Sequence, residues 1–329
     1  TPDRGMAYHM SWMGNTVFFD ATNPGAQKFV WEKCRENYYR KGIRCFWLDE
    51  AEPEYGPYVF DNYRYYEGPA LQCTNTYPVG YAKGFYDGLK AEGEKDVMSL
   101  VRCAWAGSQK YGVLTWSGDI HSSFRAMREQ LQAGLNMCVA GIPWWTSDIG
   151  GFVGGNIKDP YFKELLVRWF AWGCFCPVFR MHGERSPWYE REEEFINNVR
   201  QLTSGQDNEV WSFGEDNYEI LKKYLFIREC MRHASLTGAP VMRPLFFDFN
   251  DDKTAWNTED EYMFGPDLLV APVMVEKVVE RSVYLPAGAS WTDAYTGKVY
   301  DGEQRVTVPA PLDVIPVFFK DGKKYDIYQ

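Results

Sequence analysis

The sequence predicts an α/β fold, the C-terminal part of a (β/α)8 barrel (about strands 4–8), followed by an all-β antiparallel sandwich. Three observations carry that expectation. Apolar, strand-like runs alternate with helical patterns from the N-terminus to about Thr237, which implies parallel strands with right-handed crossovers. Asp49, Arg102, Asp119, Asp148 and His182 each fall at or just past the C-terminal end of a different run. Barrel active sites are assembled that way, and this placement favours a barrel over an open doubly wound sheet, which the alternation alone fits equally well. From about Gly238 the pattern changes to short strands with turns, the mark of an antiparallel sandwich. The expected domains are therefore 1–237, a partial barrel, and 238–329, a β-sandwich. About five strands precede the seam where a barrel needs eight, so the chain is expected to begin after the third barrel strand.

The elements follow in order. "ATNPGAQKFVWEKCRENYYRKG" reads as a helix capped by Thr22 or Asn23, with Pro24 at its start, Gly42 at its end and a face of Phe29, Val30, Cys34 and Tyr38. The strand "IRCFWLD" follows, then a polar and aromatic loop, a helix from about Tyr77 to Ala91, and strands "VMSLVRC" and "YGVLTWSGD". Ser122 or Ser123 caps a helix bearing Phe124, Met127, Leu131 and Leu135 on one side. "VAGIPWWTSD" gives a fourth strand, "YFKELLVRWFAWG" a helix, "CPVFRMHG" a fifth strand, and helices are expected near 189–203 and 217–236. Beyond the seam, "MRPLFFDF", "YMFGPDLLVAPVM", "RSVYLPAG", "GEQRVTVPAP" and "VIPVFFKDG" read as sandwich strands.

Composition limits the function classes. A net charge of −10 and the lack of a basic stripe argue against nucleic acid as a partner. No run of about 18 apolar residues is present to span a membrane. Aromatic residues reach 17%, an excess that suits stacking on the apolar faces of sugars as well as core packing. Most of the eight cysteines sit in apolar surroundings, and Cys174-Phe175-Cys176 lacks the spacing of zinc or redox sites; reduced, buried thiols in a cytoplasmic protein are expected. The glycines of "SDIGGFVGG" lack the Lys-Ser/Thr of a phosphate loop.

"RCFWLDEAEPEYGP" places Asp49, Glu50, Glu52 and Glu54 directly after an apolar strand, and "WSGDIH" places Asp119 after another. Two acids at the ends of separate barrel strands can flank a sugar. In a retaining glycosidase one attacks the anomeric carbon and the other protonates the leaving oxygen, at a separation of roughly 5 to 5.5 Å. The first must be ionised and the second protonated, so a cation is wanted near one and apolar walls near the other. Arg102 is a strand-end cation able to hold an acid ionised or to grip sugar hydroxyls, and Trp47 and Trp116 can supply walls. The residues alone do not choose Asp49 over Glu50 or Glu52.

"FWLDEAEPE", "LVRCAWAGSQKYGVLTWSGD", "WWTSDIGGF" and "FRMHGER", in that order and spacing, resemble four blocks of glycoside hydrolase family 31, the retaining α-glycosidases built on a (β/α)8 barrel. The tail 239–329 resembles the family's proximal C-terminal β-sandwich. The resemblance implies that Asp49 is the nucleophile and Asp119 the general acid/base. It implies further that Arg102, Asp148 and His182 bind hydroxyls of the sugar and that Trp47 and Trp116 line its pocket. It implies a glycoside or oligosaccharide substrate, no cofactor and no metal. The parent protein's N-terminal β-sandwich and early barrel strands would be intramolecular partners, and a homo-oligomer is left open. Many α-glucosidases of the family follow the nucleophile with Met-Asn-Glu, where this chain has Glu50-Ala51-Glu52; the form here looks most like members grouped with α-xylosidases. Exo-acting hydrolysis of terminal α-xylosides or α-glucosides is therefore expected, with an α-transglucosylase of the same family, in which a sugar hydroxyl replaces water, as the alternative.

Blander roles exist for the same residues. Asp49 and Glu52 suit a solvated acidic loop, Asp119 a helix cap, Asp148 the turn before the glycines, His182 a buried histidine and Arg102 a structural ion pair. A metal-dependent hydrolase built on Asp49, Glu52, Asp119, His121 and His182 is the weaker rival, since only four His occur and none has ligand spacing. A non-catalytic sugar-binding protein would keep the aromatics but has no use for opposed acids. Glu184 and Arg185 read as a surface ion pair.

Overall fold

The computed structural model describes residues 9–10, 16–52, 63–156, 158–183, 185–186 and 225–325. Glu54, Glu184 and the expected helix near 189–203 lie outside the described residues. Contacts group the chain into two compact units, Thr1–Trp116 and Ser117–Gln329.

In the first unit, helix α1 (Pro24–Asn37) begins where expected, with Asn23 Oδ1 accepting from the N–H of Gly25 and Ala26. Strand β1 (Phe46–Leu48), helix α2 (Tyr77–Ala91) and strands β2 (Ser99–Val101) and β3 (Val113–Trp116) follow. The three strands pair in parallel, Leu48 opposite Val101 and Val101 opposite Thr115. Trp31, Leu48, Ala82, Phe85, Leu89, Val101 and Val113 form the core of this unit.

The expected face of α1 is corrected. Val30 and Cys34 do pack partly against the core, but Phe29 and Tyr38 are exposed and Trp31 is the buried residue. The cause lies on α2, where Gly80, Gly84 and Gly88 recur every four residues and form a groove without side chains. A Cβ at Gly88 would stand 2.2 Å from the Trp31 ring, and one at Gly84 would stand 3.1 Å from Gln27 Cβ. The groove therefore selects the Gln27–Trp31 face of α1.

In the second unit, α3 (Phe124–Val139) is capped by Ser123 Oγ and α4 (Pro160–Gly173) by Asp159. A short strand β4 (Trp145–Thr146) lies between them, and α5 (Leu225–Thr237) is the described part of the helix expected near 217–236. The fifth expected strand, 176–183, is reduced to one parallel bridge between Ile149 and Met181. Its first half stays coiled beyond α4, because the N–H groups of Phe175 and Cys176 close turns onto Trp172 and Gly173, and Pro177 has no N–H to offer a sheet.

The sandwich strands are β5 (Met242–Pro244), β6 (Tyr262–Phe264), β7 (Leu268–Val270), β8 (Glu280–Leu285), β9 (Ser290–Asp293), β10 (Val299–Asp301), β11 (Gln304–Pro309) and β12 (Val317–Lys320). A six-stranded sheet runs β5-β6-β7-β12-β9-β10, and β8 pairs with β11, antiparallel throughout. Within "MRPLFFDF" only 242–244 is strand; Leu245–Asp248 is a helical turn. Both faces of the large sheet are apolar. Tyr262, Phe264, Leu268, Val270, Val317 and Phe319 join the core of α3 and α4, while Met263, Leu269 and Phe318, one residue out of phase, join Val283, Leu285, Val306 and Val308 on the other side. Period-two alternation thus puts one layer of helices and one small sheet on opposite faces.

Two polar ties cross these layers. Arg168 of α4, 3% exposed, donates to the carbonyls of Val278, Ala310, Pro311 and Val314. Glu261, fully buried before β6, accepts the Tyr284 N–H on both oxygens, at 2.9 and 3.0 Å, with Arg281 and Arg305 each 3.9 Å away. Burial outweighs these partners and pushes the Glu261 carboxyl up to about 8. A carboxyl raised on folding binds its proton more tightly in the folded state. Stability is therefore expected to fall as pH rises from the ordinary carboxylate range through about 8, with a slope of up to about 1.4 kcal/mol per pH unit. Glu261→Gln should flatten that decline in denaturant titrations across this range; an unchanged slope would show that Glu261 does not produce it.

Candidate active site

Register sets the first half of the site. Because Leu48 lies opposite Val101, the next residues, Asp49 and Arg102, emerge side by side, and the Arg102 N–H donates to the Leu48 carbonyl at 3.3 Å. Among the described residues the Arg102 guanidinium meets three carboxylates: Nε lies 2.9 Å from Glu52 Oε1, and Nη1 lies 3.4 Å from both Asp49 Oδ1 and Glu50 Oε1. Glu52 Oε2 accepts from the Cys103 thiol at 3.9 Å. Burial, and then the Glu52 charge, push that thiol up to about 12, so it is a neutral donor.

Asp49 differs from its neighbours. Its Oδ1 takes the Glu50 N–H at 3.0 Å as well as Arg102, while its Oδ2 has no partner among the described residues. Glu50 holds a left-handed backbone, φ 52, which is costly for a non-glycine residue and keeps its N–H on Asp49. Trp47 and Trp116 meet edge to face with ring centres 5.8 Å apart; Trp116 is buried and Trp47 is 52% exposed. Arg102 thus stands beside Asp49, and Trp47, two residues before Asp49, meets Trp116.

The second unit holds the other expected residues. Asp119 is exposed on a loop after Gly118, whose φ is 77. This loop is pinned to the glycine-rich segment: Phe152 and Val153 donate to the Ile120 carbonyl at 2.7 and 3.0 Å, and Ser122 donates to Val153. Gly151 (φ 80) permits the approach, because a Cβ there would stand 2.6 Å from Ser122 Cα. His121 takes part through a backbone bridge to Val153.

Asp148 is fully buried and pairs with Arg180. The turn before the glycines is closed by the Asp148 carbonyl, which accepts from Gly151 at 2.8 Å, so the side chain is left to the guanidinium. The bridge from Ile149 to Met181 sets Arg180 and His182 beside this segment, and the His182 ring stacks on Phe152 at 5.3 Å and 23°. Asp119, Asp148 and His182 are thereby linked through one loop pair.

Arg180 and Phe152 were missed in the sequence. The signal for Arg180 was its position two residues before His182, the period of an extended chain, which puts both on one side; Phe152 carried no signal of its own. Among the described residues, no group of three or more His, Cys, Asp or Glu side chains is placed to hold a metal ion, and no helix is long and apolar enough to cross a membrane. All eight cysteines are free.

Comparison with known proteins gives the family. Residues 1–231 match the model of the glycosyl hydrolases family 31 TIM-barrel domain, and residues 238–323 match that of the family 31 C-terminal domain. The chain belongs to glycoside hydrolase family 31, and consists of part of its barrel followed by its C-terminal β-sandwich. It is 65% identical over 187 residues to a protein of Pseudescherichia vulneris described as an uncharacterized family 31 glucosidase, covering 57% of this chain and 35% of that one. It is 34% identical over 320 residues to an α-xylosidase of Saccharolobus solfataricus, covering 93% of this chain and 41% of that one. Among solved structures, a family 31 α-xylosidase from a soil metagenome complexed with xylose superposes with a TM-score of 0.88 at 52% identity, covering 98% of this chain and 49% of that one. The chain thus spans half or less of the length of each of these relatives.

Proposed function

We propose that this chain carries the catalytic residues of a retaining, exo-acting α-glycosidase that hydrolyses terminal α-xylosides, or α-glucosides, through a covalent glycosyl-aspartate. The observation that carries the proposal is the asymmetry of Asp49: one oxygen held by Arg102 and the Glu50 N–H, the other without a partner among the described residues. That is the arrangement a nucleophile needs, ionised and oriented on one side and open on the other. Asp49 attacks the anomeric carbon while Asp119 protonates the departing oxygen; Asp119 then takes the proton of the water that releases the sugar. Asp148, His182 and Arg102 bind sugar hydroxyls, and Trp47 and Trp116 wall the ring. The domain division 1–237 and 238–329, a glycoside or oligosaccharide substrate and a cytoplasmic location suited to eight free thiols belong to the same reading.

The xyloside form is supported by the α-xylosidase relatives, which align over nearly the whole chain. The α-glucosidase form is supported by the 65% identical relative, described as a glucosidase. Xylose lacks only the hydroxymethyl group at C5, so discrimination on the order of 1 to 3 kcal/mol is expected and leakage toward the other sugar with it. The deciding experiment is kcat/KM of the full-length protein on 4-nitrophenyl α-xyloside and α-glucoside, side by side. A ratio of about 10 or more in favour of the xyloside is expected. A glucoside preference would move the assignment to α-glucosidase, and turnover of neither would contradict the glycosidase reading.

A further inference from the structure

We propose that Glu52 is a positioning residue that restricts the Arg102 guanidinium to a single contact with Asp49 and so keeps the second oxygen of Asp49 available for attack; this rests on Asp49 being the nucleophile. A guanidinium beside a lone carboxylate tends to fork, placing two parallel N–H groups on the two oxygens. Here it does not fork onto Asp49. Among the described residues its shortest acidic contact is Nε to Glu52 at 2.9 Å, and it reaches Asp49 through Nη1, which lies 3.4 Å from Glu50 as well. Nε lies on the inner edge of the guanidinium plane, so a carboxylate fixed there sets the rotation of the whole group.

Glu52 is itself fixed at both oxygens. Oε1 is on Arg102 and Oε2 on the thiol of the next residue, Cys103, so it clasps two consecutive residues at the end of β2. Both contacts leave Glu52 unsuited to nucleophilic attack. Three acids beside one guanidinium then divide the labour. Glu52 orients the cation, Asp49 and Glu50 both accept from its Nη1, and Glu50 supplies its backbone N–H to the same Asp49 oxygen. Once glycosylation turns Asp49 into an ester and removes its charge, Nη1 still has Glu50 as a charged partner.

The test is a double-mutant cycle in the full-length protein with 4-nitrophenyl glycosides. Glu52→Gln is expected to lower kcat by about 10- to 100-fold, a larger effect than the rise in KM from disturbing the Arg102 hold on sugar hydroxyls, since the misoriented guanidinium obstructs attack by Asp49. Glu52→Asp, which keeps the charge at shorter reach, should recover part of the loss. In an Arg102→Met background the further loss from Glu52→Gln should fall below about threefold, because no guanidinium remains to be oriented. Full kcat in Glu52→Gln, or the same fold loss in both backgrounds, would overturn the proposal. Asp49→Ala tests the underlying reading separately: turnover retained there would remove the nucleophile, whatever Glu52 does.

Discussion

Asp49→Ala in the full-length protein is expected to lower kcat by about 10,000-fold or more, the scale of loss when a covalent nucleophile is removed. The side chain is partly exposed, so the folded state should be little changed. The partner variant separates the two steps. Asp119→Ala should spare the first step for a 4-nitrophenyl leaving group, which departs without a proton, and should slow the second, which needs a base to activate water. A rapid burst of nitrophenol followed by a slow steady rate is the expected trace. Equal loss with good and poor leaving groups would contradict the assignment of Asp119, and near-normal turnover in Asp49→Ala would contradict the mechanism.

The second large effect concerns stability. Arg168→Met should destabilise the Ser117–Gln329 unit by about 3–5 kcal/mol, the range for removing one partner from a buried charged network. The guanidinium sits in a cage of four carbonyls, two of them from Ala310 and Pro311 just beyond β11 and one from Val278 just before β8. These are the segments that lead into and out of the small sheet of the sandwich. Burial pulls the guanidinium below its ordinary range, but the carbonyl oxygens and Glu164 at 4.0 Å favour the charged form. Methionine fills much of the volume and supplies no donor, leaving the carbonyls without that partner. A fall in Tm on the order of 10 °C by calorimetry is expected, with a smaller fall for Arg168→Lys, which offers fewer donors in the wrong geometry. A change within about 2 °C for Arg168→Met would show that the cage contributes little.

What the sequence made legible follows from local chemistry. Asn23 before Pro24, and Ser123 before Phe124, announce helix starts because each supplies an oxygen to unpaired N–H groups. The neighbourhood of Asp49 and Arg102 was legible because equal positions at the ends of parallel strands become adjacent once the register is fixed. The buried face of α1 was not, since it is set by a glycine groove on another helix some fifty residues on and not by the apolarity of Phe29 or Tyr38. Arg180 was hidden for a related reason: its partner, Asp148, is 32 residues away and meets it through a single bridge rather than a continuous strand. The choice among Asp49, Glu50 and Glu52 needed distances, because residue type and order do not say which acid the guanidinium holds.

The most direct test of the central claim is to trap the intermediate. The full-length protein would be treated with a fluorinated α-xylosyl or α-glucosyl fluoride whose glycosyl-enzyme hydrolyses slowly, digested, and read by mass spectrometry. One glycosyl adduct is expected, on the peptide containing Asp49 and at that residue. An adduct on Glu50, Glu52 or Asp119, or inactivation without any covalent adduct, would contradict it.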